Sequence, residues 1–190
     1  MNIKEIIEKE RALYLGSDEK NAREMQKRHH KRYTIWRYLY YFRMCQYWRG
    51  RRSDKSLGPI GRRVAKYKAR YYDKKRNIYS GKSGVEIGIE SVVGVNCDIW
   101  HSGVVINGTV GDNCTFHGNN VVGMKSSGNR AGTPVLGNGV DLGVGSVVIG
   151  QVNVADDCVI GANAVVTKDF NVPGSVIVGI PGKIINKEKK

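Results

Sequence analysis

Between Leu136 and Val166 apolar residues recur every six positions, at Leu136, Leu142, Val148, Val154, Ile160 and Val166. The residue after each is often small (Gly137, Gly143, Ala155, Gly161), and the fourth residue on is small or β-branched (Val140, Ser146, Val152, Cys158, Ala164). A half-buried strand also repeats at multiples of two, but it would carry apolar side chains at the offset of two as well. Those positions hold Asn138, Val144, Gly150, Asp156, Ala162 and Lys168, so plain alternation fits poorly. A fixed six-residue period points instead to a parallel β-helix, in which three short strands make one triangular coil and glycines turn the corners.

The rest of the chain is a different object. Residues 1–82 hold 24 basic and 8 acidic side chains, whereas residues 83–190 hold 7 and 9. The expected organisation is therefore a basic helical segment, 1–82, followed by a β-helix domain, 83–190. The four cysteines (Cys45, Cys97, Cys114, Cys158) show no CxxC spacing and no histidines at zinc-ligand intervals. Three of them fall at or near the small position of a hexapeptide, which favours packing inside a reduced cytoplasmic protein. The N-terminus, with Lys4, Glu5, Glu8, Lys9 and Glu10, lacks the apolar run of a signal peptide, and no run of about twenty apolar residues would span a membrane.

In the basic segment, residues 2–15 read as a short amphipathic helix (Ile3, Ile6, Ile7, Leu13), with Gly16-Ser17-Asp18 as a stop and a new N-cap. A longer helix is expected from Ser17 to about Trp48, then a break over Gly50–Gly61 at Gly58-Pro59, then a basic, aromatic helix over 62–79. Three uses of such a segment stay open. Trp36, Leu39 and Phe42 can pack inside the protein while the charges are solvated. The segment can lie on an anionic membrane surface. Nucleic-acid binding is the weakest of the three, because positive charge without a recognised module is a poor signal.

Hexapeptides begin near Val85, with Ile87-Gly88, Val93-Gly94 and Ile99-Trp100. The phase slips over Trp100–Thr109 and resumes at Val110-Gly111, Phe116-His117 and Val122-Gly123. A second interruption, 124–135 (MKSSGNRAGTPV), is glycine-rich, polar and basic, and Val176–Ile184 closes the array as a C-terminal cap. Both interruptions are expected to be loops leaving the coil, the usual place for function in a solenoid.

His101 lies in the first slip and Glu86 stands fifteen residues before it, about one coil away. A carboxylate on one ring nitrogen fixes the tautomer and raises basicity at the other, which suits a general base that takes a hydroxyl proton. A structural or surface histidine is the alternative. His117 lines an acceptor pocket or packs a corner, Arg130 holds an acidic group or is solvated, and Asn107 supports the bend near the base. His29 and His30 read as surface residues.

The segments GVEIGIESVVG, IWHSGVVIN, LGVGSVVIG and IGANAVVTKDF resemble the left-handed β-helix, hexapeptide-repeat acetyltransferases, on the serine acetyltransferase branch. Within that branch the resemblance is to the bacterial capsular and surface-polysaccharide O-acetyltransferases. The resemblance implies a left-handed coil assembled as a homotrimer, or as a dimer of trimers, with active sites between subunits. It implies acetyl-CoA as co-substrate, no metal, His101 as general base and Glu86 as its partner. Backbone groups at Val144 and Ala162 would hold the pantetheine arm, Thr167, Lys168 and Lys183 the nucleotide end, and Met124 a wall at the thiol end.

Two positions depart from the serine-specific pattern: Trp100 stands where those enzymes carry an aspartate before the histidine, and Thr133 where they carry a histidine before the proline. A tryptophan beside the base suits a sugar ring. The expected acceptor is accordingly a carbohydrate, a sugar hydroxyl of a surface polysaccharide or its precursor, bound by Trp100, Asn107, His117 and Arg130. The alternatives are serine O-acetylation for cysteine biosynthesis, sugar N-acetylation, and a non-catalytic scaffold that binds a partner through its basic helices.

Overall fold

Local signals account for most helix ends in the basic segment. The computed structural model describes residues 2–185, so residues 186–190 of the expected second domain lie outside the described residues. The chain divides into two compact units, Met1–Val85 and Glu86–Lys190. In the first, α1 (Ile3–Leu15) starts from a capping box, with the Asn2 side chain accepting from the Lys4 and Glu5 N–H groups and Glu5 reaching back to the Asn2 N–H. The single helix expected from Ser17 is broken in two, α2 (Glu19–Lys27) and α3 (Lys31–Arg52). His29 takes a left-handed conformation (φ 49°), and His30 Nδ1 accepts the Arg32 N–H at 3.3 Å as the cap of α3. The fourth helix, α4 (Pro59–Ser83), starts earlier than expected because Pro59 occupies its first turn, where a missing N–H costs nothing. It ends on left-handed Gly84.

Tyr14, Leu15, Ile35, Tyr38, Leu39, Phe42, Cys45, Ala65 and Ala69 fill this unit's core. Thus Leu39 and Phe42 are spent on internal packing. Among them runs a buried ion pair, Arg43 to Glu10, with Nε and Nη2 both donating to Glu10 Oε1 at 3.0 and 2.7 Å. Burial still pushes the Glu10 carboxyl above the ordinary glutamate range, against the opposing pull of Arg43. Such a pair gives little net stability, but breaking it leaves an uncompensated buried charge.

The second unit is a solenoid. Its strands in order are β1 (Val85–Ile87), β2 (Val92–Val93), β3 (Asp98–Ile99), β4 (Val104–Ile106), β5 (Thr109–Val110), β6 (Thr115–Phe116), β7 (Val121–Gly123), β8 (Val135–Leu136), β9 (Asp141–Leu142), β10 (Val147–Ile149), β11 (Asn153–Val154), β12 (Val159–Ile160), β13 (Val165–Val166), β14 (Val176–Val178) and β15 (Lys183–Ile185). Through β13 every third strand joins the same sheet, and β14 and β15 both extend the third, giving the orders β1-β4-β7-β10-β13, β2-β5-β8-β11 and β3-β6-β9-β12-β14-β15. The pairings among β2 to β14 are parallel, and β14 with β15 is antiparallel.

The hexapeptide residues stack in register inside the coil. Ile106, Val122, Val148 and Val166 form one column, Val110, Leu136 and Val154 a second, and Ile99, Phe116, Leu142, Ile160 and Ile177 a third. Each of these is no more than 3% exposed, which is why the sequence tolerates only apolar side chains at this period. Cys97, Cys114 and Cys158 are free thiols buried at the corner positions.

One expectation about the interruptions fails. Trp100–Thr109 stays in the coil, running through β4 with a corner at Gly103 (φ 79°). The slip reflects only a shorter step, since Ile99 pairs with Phe116 while Leu142 pairs with Ile160 one residue further on. The loop 124–134 does leave the coil, and it folds back onto it. Lys125 and Gly132 exchange two backbone hydrogen bonds at 2.9 Å, the Gln151 N–H donates to the Arg130 carbonyl at 2.8 Å, and Arg130 reaches Asp169 at 2.9 Å.

Candidate active site

The outer face of the first sheet carries one residue from each coil. The Gly88 N–H donates to the Ile106 carbonyl, which sets Ile87 against Ile106 and Glu86 beside Val105. Val105, Val121, Val147 and Val165 continue the column in register. Glu86 is therefore an exposed carboxylate at the end of a half-buried valine stripe. At one edge of this face, on the corner leading into β4, stands the exposed His101. At the other edge a cleft of about 640 Å³ is lined by Val105, Asn107, Val121, Met124, Thr133 and Ile149, among others.

Glu86, on β1, and His101, on the corner before β4, thus lie on adjacent coils. Among the described residues no hydrogen bond joins them.

His101 rests on the backbone of the next coil. A Cβ at Gly118 would come 2.6 Å from the His101 Cβ, and Gly118 itself has φ 119°, so glycine is required there on two counts. Beneath it the fully buried Asn120 accepts the Gly118 N–H at 2.8 Å and donates to the Gly143 carbonyl at 2.7 Å and Ser146 Oγ at 2.9 Å. Sequence reasoning missed Asn120. The signal was a polar residue where later coils carry Ser146 and Ala164, since Val121 pairs with Val147 and Val147 with Val165.

The register that pairs Phe116 with Leu142 and Leu142 with Ile160 puts His101, Gly118, Val144 and Ala162 in one column at this corner. Val144 and Ala162 are exposed there, and neither N–H donates to a backbone carbonyl among the described residues. Lys183, on β15, pairs with Val178 at the end of the same region. Thr167 and Lys168 follow β13, at a different corner from Val144 and Ala162, and Lys168 Nζ sits 5.5 Å from the Phe170 ring centre.

Trp100 and His117 form a separate group on the third sheet. Their rings lie 4.5 Å apart, the indole N–H donates to Asp98 at 3.0 Å, and His117 Nε2 meets Asp141 Oδ1 at 2.8 Å. Arg130 is held by Asp169 and by the Gln151 carbonyl, away from this group. The backbone N–H of Asn153, and after it Arg130, hold the Asp169 carboxyl below its ordinary range. The structure thus joins Trp100 to His117 and Asn107 to Met124, and keeps Arg130 apart from both pairs. Among the described residues no three His, Cys, Asp or Glu side chains gather as a metal-binding group.

No family model matches the chain. A serine acetyltransferase of Mycobacterium tuberculosis is 39% identical over 111 residues, 56% of this chain and 48% of that protein. A serine acetyltransferase of Helicobacter pylori is 42% identical over 112 residues, 56% of this chain and 64% of that protein. The chain therefore spans about half to just under two thirds of the length of these curated relatives. Among solved structures, serine acetyltransferase from Brucella abortus strain S19 superposes with a TM-score of 0.69 at 20% identity, covering 97% of this chain and 69% of that one.

These relatives overturn the acceptor expected from the sequence. They are serine acetyltransferases, so the surface-polysaccharide sugar hydroxyl, and with it the carbohydrate partner, is withdrawn. The Trp100 ring packs on His117 and its N–H is taken by Asp98, which gives the tryptophan a role within the coil itself. By its six-residue repeat and three-sheet coil, the chain carries a hexapeptide-repeat, left-handed β-helix domain, and this domain is similar to that of serine acetyltransferases.

Proposed function

We propose that this protein is a serine O-acetyltransferase that transfers acetyl from acetyl-CoA to the hydroxyl of serine, the step that opens cysteine biosynthesis. The observation that carries this reading is the 39–42% identity of the chain's matched region to serine acetyltransferases.

The chemistry asked of the protein is modest. Acetyl-CoA supplies the acetyl group already activated as a thioester. A ring nitrogen of His101 takes the proton of the attacking hydroxyl, and Glu86, on the neighbouring coil, orients and electrostatically supports the imidazolium that forms. A backbone N–H near the base of loop 124–134 stabilises the developing oxyanion; its collapse breaks the C–S bond of the thioester, CoA leaves as the thiolate, and the His101 imidazolium gives its proton to that sulfur. No cysteine serves as nucleophile: Cys97, Cys114 and Cys158 are buried inside the coil, and burial raises the Cys158 thiol above its ordinary range.

The N–H groups of Val144 and Ala162, without a backbone acceptor among the described residues, support a pantetheine-binding role, and the exposed Lys183 supports a phosphate-binding one. Thr167 and Lys168 fit such an extended ligand only if it turns from one corner to the next. The exposed Val92 and Val135 on the second sheet, together with the valine column on the first, support a homotrimer whose active sites lie between subunits. Four free thiols support a cytoplasmic location. Among the described residues no helix is long and apolar enough to cross a membrane.

Thiol release from acetyl-CoA, followed with L-serine as acceptor, tests the reaction. Serine-dependent release with O-acetylserine in the product mixture is expected; absence of that product at saturating serine would refute the assignment.

A further inference from the structure

Among the described residues, one face of helix α4 is left exposed. Helix α4 buries Ala65 and Ala69, and opposite them runs a line of exposed apolar side chains: Ile60 (77% exposed), Val64, Tyr67 (72%), Tyr71 and Ile78. At about 100° per residue these five fall within about 30° of one line along the helix. Arg63, Arg70 and Lys74 flank the line on one side, and Lys68, Lys75 and Lys82 on the other. At the first turn Arg52, Arg62, Arg63 and Lys66 line a pocket of about 260 Å³ with Pro59. Among the described residues none of these four cations has a carboxylate at ion-pair distance.

The charge decides what can cover this face. Helix α4 carries nine Lys and Arg against Asp73 alone, so a second copy laid along the stripe would set like charge against like. A nucleic acid would satisfy the cations and leave Ile60, Val64 and Ile78 in water. An anionic bilayer satisfies both, since apolar side chains reach the acyl boundary, tyrosines sit at headgroup depth, and long basic side chains extend to the phosphates.

We propose that the outer face of α4 docks on an anionic phospholipid membrane, with a lipid phosphate seated among Arg52, Arg62, Arg63 and Lys66. Leu39 and Phe42 of α3 are buried, so within the basic segment the outward apolar face belongs to α4. The proposal does not rest on the acyl-transfer reading.

Sedimentation of the full chain with vesicles tests it, using phosphatidylcholine alone and phosphatidylcholine mixed with phosphatidylglycerol. Binding to the mixed vesicles only is expected, weakening as salt is raised. Ile60→Ser/Tyr67→Ser should reduce that binding at least about tenfold through the apolar area withdrawn. Arg62→Gln/Arg63→Gln should reduce it by a similar factor. All four side chains are exposed, so helix content by circular dichroism should stay unchanged. The proposal is overturned if the mixed vesicles are not bound, or if the stripe variant binds as well as wild type. It is equally overturned if the stripe variant dissociates the protein's own assembly in light scattering, or if short duplex RNA is bound in place of vesicles.

Discussion

Gly118 sets where His101 can be. A methyl group there would stand 2.6 Å from the histidine Cβ, closer than side-chain carbons come to one another, and would also strain a backbone at φ 119°. Gly118→Ala should therefore push the His101 corner outward. A displacement of about 1 Å at a reacting group costs about a hundredfold in rate, so turnover should drop by about that factor while acetyl-CoA binding persists. Steady-state kinetics beside a CoA-binding titration checks this, and an unchanged kcat would mean that His101 does not act from that corner. Residues of this kind were only partly legible. His101 and Glu86 stood out by type and spacing. Gly118 and Asn120 did not, because their importance comes from lying one coil below His101, and a single chain of letters does not show which coil stacks on which.

At the level of elements, the six-residue period revealed the coil because every sixth side chain points into the same narrow interior. Phe116, Leu142 and Ile160 are each fully buried, and no polar residue could replace them cheaply. The helix boundaries were less legible. His29 and His30 read as surface histidines and are exposed, but the sequence did not show that the left-handed backbone of His29 precedes α3 or that the His30 side chain caps it. The loop 124–134 was visible as a break in the period, but its anchorage was not. Arg130 and the Asn153 N–H converge on Asp169, whose carboxyl is held below its ordinary range. A depressed folded-state pKa adds stability that is present above the unfolded value of about 3.9 and lost as pH falls through the folded one. Asp169→Asn should accordingly lower the urea midpoint near neutral pH, and the gap to wild type should shrink progressively below about pH 3.9. Unfolding curves at pH 7 and at pH 3 test this; a gap that grows toward acid would contradict it.

Across the whole molecule, the two units divide the work suggested by their composition. The basic residues concentrate in 1–82, and there the helices bury their own aromatic core and, apart from Arg43, leave most of the cations at least partly exposed. The coil is close to neutral, and it holds His101, Glu86, the cleft beside Asn107 and the exposed residues Val144 and Ala162. Acceptor identity was the least legible feature, since Trp100 was read as a sugar platform when its ring is engaged by His117 and Asp98. The central claim is that a histidine on a β-helix corner takes the serine hydroxyl proton. Its most direct test is the rate of O-acetylserine formation by His101→Ala. That rate should fall by about 10² to 10⁴, the usual contribution of a general base, with CoA affinity and thermal unfolding close to wild type. A variant that keeps wild-type turnover would contradict the account.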